Sequence, residues 1–248
     1  MLLAGCVSFR MVELEGVFAR TRRAMALKTR AWLGLFFLAI AMGLLLFLSA
    51  GTARYWQARG YLAVFFGASF LTTLYLMKKD PALLARRLSA GPTAEKEKPQ
   101  KIMMLFASIG FIALLVVSAL DHRFMWSSMP FHVVIAGDIL TALGFYIIYL
   151  VYKENTFASA TIEVAGDQKV ISTGPYAVVR HPLYAGGLLY LLGTPFALGS
   201  YRGLLVLAGM IPFLIGRLLD EERFLSKNLP GYTEYCAKVR WRLIPGVF

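Results

Sequence analysis

The chain has 248 residues, of which 58% are hydrophobic and 16% are charged, whereas soluble domains have about 45–50% apolar and about 25% charged residues. This composition excludes an ordinary soluble domain. The formal net charge is +12, but the basic residues fall between long apolar runs, so they indicate membrane topology rather than nucleic-acid binding. Cys6 and Cys236 lie far apart in the sequence and offer neither a disulfide framework nor a metal-ligand spacing.

The N-terminal segment, residues 1–30, is basic and contains interspersed apolar residues. Two interpretations fit it equally well: an interfacial helix on anionic lipid, or a basic tail that sets the topology. Residues 31–130 are predicted to form N-terminal transmembrane helices that carry no recognisable motif.

Six apolar stretches approach the roughly 20 residues of helix needed to cross a bilayer. They lie at about 31–50, 60–77, 102–120, 131–152, 183–200 and 203–219. Of the 26 lysines and arginines, 22 lie in alternate connecting segments that include both termini. By the positive-inside rule, both termini and the polar loops 153–182 and 220–248 are therefore predicted to be cytoplasmic. We expect an all-α integral membrane protein of the inner or plasma membrane.

The remaining connectors have simpler interpretations. Residues 89–101 are rich in proline, glycine and charge, which predicts a cytoplasmic linker. Asp121 and His122 are predicted to lie in a solvated loop on the outer side.

The most informative segment is 161–187. Polar and apolar residues alternate on both sides of residues 165–168, which predicts a short cytoplasmic β-hairpin. Pro182 suits the first position of the next helix and keeps His181 near its cap. The free amides of Leu183 and Tyr184, beside Arg180 and His181, then predict an anion site. Gly186 and Gly187 leave one helix face bare for a flat group.

Each of these features also has a purely structural interpretation. Arg180 suits an interfacial anchor, Tyr176 and Tyr184 an aromatic belt, and the glycine pair a helix-packing surface. Their concentration within a few residues at a membrane boundary favours a functional site.

A second cluster lies at the end of the sixth stretch. A spacing of four places Arg217 and Glu221 on one helix face, next to Asp220 and Glu222. Here an acidic side chain can bind an ammonium group or sugar hydroxyls, and Arg217 can bind a carboxylate. The alternative is a helix end with surface ion pairs. The aromatic and basic tail that follows predicts a C-terminal interfacial helix.

The motifs GPYAVVRHPLYAGG, RLLDEERFL and GYTEYCAKVRWRLIP resemble those of the integral-membrane isoprenylcysteine carboxyl methyltransferase and phospholipid methyltransferase superfamily. The resemblance covers about residues 131–248, which it identifies as a catalytic core. It implies S-adenosylmethionine as the methyl donor. The implied contacts are Gln168, Lys169, Val170, Ile171, Tyr176, His181, Pro182, Leu183, Tyr184 and Glu221. Arg180 and Glu222 are added as predicted cofactor contacts because of the charges of their side chains in the two clusters described above.

The resemblance also assigns Arg217 to the carboxylate of a lipophilic or lipid-linked acceptor. A carboxylate of the prenylcysteine type is the expected acceptor, and a thiol or a phospholipid amine is the alternative. The non-enzymatic alternative is a small six-span transporter or membrane scaffold in which both clusters are boundary charges.

Overall fold

The computed structural model describes residues 2–248 except 92, 96, 163, 165 and 167, and for residues 2–24 it describes only the helical backbone. All regular structure in the described residues is helical. The helices are α1 Leu2–Ala50, α2 Trp56–Lys79, α3 Pro81–Leu88, α4 Lys98–Phe124, α5 Phe131–Glu154, α6 Pro182–Ala197, α7 Tyr201–Asn228 and α8 Tyr232–Lys238, with a 3-10 turn at Gly174–Ala177.

Within the described residues, five helices are long and apolar enough to cross a membrane: Met25–Ala50, Trp56–Lys79, Lys98–Phe124, Phe131–Glu154 and Tyr201–Asn228. The predicted count of six spans is not confirmed, because α6 has only 16 residues. At 1.5 Å per residue it extends about 24 Å, less than the hydrocarbon thickness of about 30 Å. The short helix α3 was not predicted from the sequence. Asp80 caps it by accepting a 2.8 Å hydrogen bond from the amide of Leu83.

The helices alternate in direction, so their ends collect at two sides of the bundle. At one side, Gln100 near the start of α4 donates a 3.1 Å hydrogen bond to Asp220 near the end of α7. Leu76, Leu83 and Val151 pack together at this side, which brings the ends of α2 and α5 to α3. We call this side the cavity end.

A seam of glycines lets α5 and α6 pack closely. A methyl group on Gly186 would lie 2.8 Å from the carbonyl oxygen of Gly144, and one on Gly193 would lie 2.6 Å from that of Gly137. Such contacts leave no room for a side chain. Gly187 differs, because a methyl group there would meet nothing within 4 Å. The packing interpretation therefore holds for Gly186, whereas Gly187 keeps a bare helix face.

The side opposite the cavity end contains a buried carboxylate. Asp121 is fully buried and accepts hydrogen bonds from the Ser127 hydroxyl at 2.7 Å and the Ser200 hydroxyl at 2.5 Å. The prediction of a solvated loop for Asp121 was wrong. The carboxylate instead joins the end of α4 to the start of α7, where its partners offset the cost of burying it.

The predicted hairpin at 161–172 is not found, because the described residues of this segment form turns and irregular loop. One backbone group of this segment, and one of the residue just before it, bond to side chains from elsewhere. The amide of Ile162 donates to the carboxylate of Glu95 at 3.3 Å, and the carbonyl of Ala160 accepts from Arg217 at 3.2 Å.

Candidate active site

A cavity of about 320 Å³ opens at the cavity end of the bundle. This volume is at the lower end of the range of about 300–1,000 Å³ seen for small-molecule sites. Its wall combines the loop after α5, the start of α6, the end of α7 and the region of α8.

The cavity brings the two predicted clusters together. Among the described residues, the predicted cofactor-binding side chains line it except for Glu222: Gln168, Lys169, Val170, Ile171, Tyr176, Arg180, His181, Pro182, Leu183, Tyr184 and Glu221. Arg217, predicted to bind the acceptor, lines it as well. Segments of the chain that are distant in sequence therefore meet around one space.

The start of α6 is fixed from outside the cavity by the C-terminal tail. The amide of Arg180 donates to the carbonyl of Trp241, and the amide of His181 donates to that of Arg242, both at 2.9 Å. These bonds hold the segment that precedes Pro182, the first residue of α6. The free backbone amides in the first turn of α6 are thus held in a fixed position.

Glu222 belongs to a charge cluster in the same wall rather than to the cavity surface. It accepts hydrogen bonds from Arg180 Nη1 at 2.9 Å and from Arg242 Nε at 2.8 Å. His181 Nε2 lies 3.3 Å away. Arg180 also donates to the carbonyls of Val239 and Arg240. Because the side chains of Arg180 and Glu222 make these hydrogen bonds, they hold the C-terminal tail against the start of α6.

Glu221, one residue earlier, does face the cavity. Its carboxylate accepts a 2.7 Å hydrogen bond from the hydroxyl of Tyr184, which joins α7 to the first turn of α6. Tyr184 also interacts electrostatically with Arg217. A carboxylate, a phenol and a guanidinium are thereby grouped at one position of the wall.

Arg217 is buried, with 10% of its side chain exposed. The sequence suggested Asp220 or Glu221 as its structural partner, but the structure pairs it with Glu95 of the α3–α4 linker at 2.5 Å. The same nitrogen, Nη2, also donates to the carbonyl of Ala160 at 3.2 Å. Nη1 is buried and has no hydrogen-bond partner among the described residues. Arg217, a residue of the cavity wall, therefore carries one buried and unsatisfied donor nitrogen.

Tyr176 is positioned by contacts on both sides. Its hydroxyl accepts a 2.8 Å hydrogen bond from Asn155, and its carbonyl accepts one of 2.8 Å from the hydroxyl of Tyr235. Burial raises the pKa of the Tyr176 phenol to about 12, although the hydrogen bond from Asn155 opposes the rise. The phenol is therefore uncharged at neutral pH.

Gly174 makes the turn before Tyr176 possible. Its φ of +56° lies in the left-handed region, and a methyl group there would lie 2.6 Å from Glu154 Cγ. Thr173 donates to the same Glu154 side chain at 2.9 Å. The end of α5 is thus tied to the turn that carries Tyr176.

Sequence reasoning missed several wall residues. Arg87 of α3, Asn155, and Tyr232 and Tyr235 of α8 all line the cavity. The two tyrosines were assigned to an interfacial helix, but α8 has only seven residues and both side chains are buried against the wall. Glu95, in the segment predicted to be a linker, is 3% exposed. A glutamate within a run of charged residues gave no signal of burial.

The part of the wall that adjoins the membrane-spanning helices is apolar. It is lined by Met104 and Ala107 of α4, Leu188 and Leu191 of α6, and Leu214 of α7. The cavity therefore has a polar region near Arg217 and Glu221 and an apolar region between helices. This division matches an amphiphilic ligand.

Residues 132–230 match the phospholipid methyltransferase family. A protein-S-isoprenylcysteine O-methyltransferase of Schizosaccharomyces pombe is 33% identical over 75 residues, which cover 29% of this chain and 32% of that protein. The cobalt-zinc-cadmium resistance protein CzcN of Cupriavidus metallidurans is 28% identical over 103 residues, 41% of this chain and 48% of the relative.

A delta(14)-sterol reductase of Mus musculus is 28% identical over 126 residues, which cover 44% of this chain and 30% of the reductase. The chain thus spans less than half the length of these curated relatives. The matched region contains all of α6 and α7 and all of α5 except Phe131. It therefore includes the part of the cavity wall that these three helices form. Residues 132–230 are thus similar to the membrane methyltransferase superfamily.

Proposed function

We propose that this protein transfers a methyl group from S-adenosylmethionine to a lipophilic acceptor at the cytoplasmic face of the inner or plasma membrane. The observation that carries the proposal is one cavity, lined mostly by residues of the region matched by the methyltransferase family, that joins the start of α6 to Arg217 and Glu221 of α7. A transporter or scaffold gives no reason for this arrangement of buried polar groups. The excess of basic residues in alternate segments supports the cytoplasmic orientation of both termini and of the site.

The residues present suit the chemical groups of S-adenosylmethionine. The first amides of α6, at Leu183 and Tyr184, are oriented donors for a carboxylate. Glu221 is an acceptor for an ammonium group or for ribose hydroxyls. Gly187 leaves space for a flat ring against the helix. When bound, S-adenosylmethionine supplies an electrophilic methyl group on a sulfonium.

The protein's own contribution is alignment and exclusion of water. Methyl transfer is an in-line displacement that disperses charge, and an acceptor that is already a carboxylate needs no catalytic base. The fixed α6 start and the bond from Tyr184 to Glu221 hold one side of the cavity. The apolar side chains of Leu188, Leu191 and Leu214 limit the water around the reacting groups.

We infer that the acceptor is a carboxylate of the prenylcysteine type. Arg217 Nη1 is a buried donor without a partner among the described residues, at the boundary between the polar and apolar regions. A lipophilic chain packed beside Leu214 and Met104 would bring its polar head to this donor. The 33% identity to an isoprenylcysteine O-methyltransferase supports the same class. A thiol or a phospholipid amine is the second candidate, and the match to the phospholipid methyltransferase family favours the amine.

The first test is calorimetric binding of S-adenosylmethionine to the purified protein in detergent, with no acceptor present. We expect binding by the wild type, weaker binding by Glu221→Gln, and unchanged binding by Glu234→Gln, whose side chain is exposed on α8. Absence of binding by folded wild-type protein would leave the transporter or scaffold interpretation.

The second test identifies the acceptor. Transfer of a radiolabelled methyl group is measured to N-acetyl-S-farnesyl-cysteine, to a long-chain alkanethiol and to phosphatidylethanolamine. Carboxyl methylation is expected, and its product is recognised because mild base releases the ester methyl group. Transfer only to the thiol or the amine would replace the carboxylate assignment while keeping the enzyme class.

A further inference from the structure

Glu95 is a buried acid in the linker between α3 and α4. Its side chain is 1% exposed, whereas Thr93 and Glu97 beside it are exposed. One carboxylate oxygen accepts from Arg217 and the other accepts from the amide of Ile162. Glu95 therefore joins three segments: the linker before α4, the loop after α5, and α7.

The position of Glu95 relative to the cavity indicates its role. Arg217, Ala160 and Ile162 line the cavity, whereas Glu95 is not among the described lining residues. It thus approaches the guanidinium from behind the wall. Glu95 and the carbonyl of Ala160 both occupy Nη2, and the orientation of the planar group is thereby fixed with Nη1 unpaired.

We propose that Glu95 is a positioning residue for the acceptor: it orients Arg217 and reduces its effective charge, so that an acceptor carboxylate is bound through a single N–H rather than a bidentate fork. This inference rests on the proposed function. It assigns Glu95 no contact with acceptor or cofactor.

The chemistry of the transfer explains why a reduced charge is useful. An acceptor oxygen forms a bond to the methyl carbon, the carbon–sulfur bond of the sulfonium breaks, and its electron pair remains on sulfur. The carboxylate loses its negative charge as it becomes an ester. A fully exposed guanidinium would stabilise the charged ground state more than the transition state and would slow the reaction. A guanidinium already paired with Glu95 orients the nucleophile with less of this cost.

The test measures binding without turnover. Affinities of N-acetyl-S-farnesyl-cysteine and of its uncharged carboxamide are measured by thermophoresis in detergent, with no S-adenosylmethionine added. We expect Glu95→Gln to bind the carboxylate about fivefold or more tightly than wild type, because unmasking the guanidinium strengthens its attraction for an anion. Binding of the carboxamide should not change. The matched control is Glu97→Gln, which should leave both affinities unchanged.

Glu95→Asp provides the second variant, since its carboxylate is drawn back by one methylene. Glu95→Asp should also bind the carboxylate more tightly than wild type, but with a smaller increase in affinity. It tests the proposal if Glu95→Gln does not fold. Unchanged carboxylate affinity, or equal weakening for both probes, would show that Glu95 only braces the fold and would overturn the proposal. Methyl transfer by the wild type is scored separately, so loss of the proposed function is distinguishable from failure of this inference.

Discussion

Adjacent glycines on α6 provide a test of the packing, because they meet different surroundings. Gly186 faces α5, where an added methyl group would lie 2.8 Å from the Gly144 carbonyl oxygen and 3.0 Å from Ile148 Cγ1. Gly187 faces the cavity and has nothing within 4 Å. Replacing each with alanine therefore makes the same chemical change in two environments.

The expected magnitudes follow from these distances. Alanine in a helix interior gains about 0.5–1 kcal/mol over glycine, and overpacking costs about 1–3 kcal/mol. Gly187→Ala should keep or slightly raise stability. Gly186→Ala should lose about 1–2 kcal/mol, because a backbone oxygen and the adjacent helix must move. The difference corresponds to a melting temperature several degrees lower for Gly186→Ala, at about 2–4 °C per kcal/mol.

Thermal unfolding of both variants in the same detergent measures this difference. A Gly186→Ala protein as stable as Gly187→Ala would refute the close α5–α6 packing. A larger residue at the cavity position separates the two roles further. Gly187→Leu should remain folded and should lose affinity for S-adenosylmethionine, since its side chain fills the space beside the first turns of α6.

Further expectations concern the charged groups and the topology. Arg217→Lys should reduce turnover of a carboxylate acceptor by at least about tenfold with nearly constant cofactor affinity, because one ammonium cannot reach both Glu95 and the acceptor; full activity would point to a thiol or amine acceptor. Glu221→Gln should weaken cofactor binding by about 1.5–3 kcal/mol in calorimetry, the usual contribution of a charged hydrogen bond, and unchanged affinity would remove Glu221 from the cofactor site. Reporters placed after Gly91 and Phe248 should both be cytoplasmic, and one placed after Ser127 should be external. If the first two reporters lay on opposite sides, the topology predicted from the distribution of basic residues would be wrong.

The helices could be predicted because their signals are local. Long apolar runs gave the segments that became α1, α2, α4, α5 and α7, and Pro182 marked the first residue of α6. The motif residues around His181 and Glu221 also line one cavity. These features depend on hydropathy, proline stereochemistry and helix periodicity, all of which are readable over a few residues.

What could not be predicted depends on contacts between distant segments. Glu95 lies 122 positions from Arg217 in the sequence, and nothing in its charged neighbourhood distinguishes it from Glu97. The alternation at 161–172 suggested strands, but the amide of Ile162 binds Glu95 and the carbonyl of the adjacent Ala160 binds Arg217. Asp121 was assigned to solvent because its partner Ser200 is 79 positions away. In each case a long-range polar contact decided the local structure.

The docking of the tail on the start of α6 has a consequence for biosynthesis. Residues 239–242, whose carbonyls hold Arg180 and His181, emerge from the ribosome after every membrane-spanning helix has been made. Since domains generally form from the N-terminus during synthesis, the nascent chain inserts its helices before the wall around His181 can be fastened. The contacts between the tail and the start of α6 therefore form only after these helices have been synthesised. A ribosome stalled before Val239 would leave inserted helices without the contacts that fix Arg180 and His181.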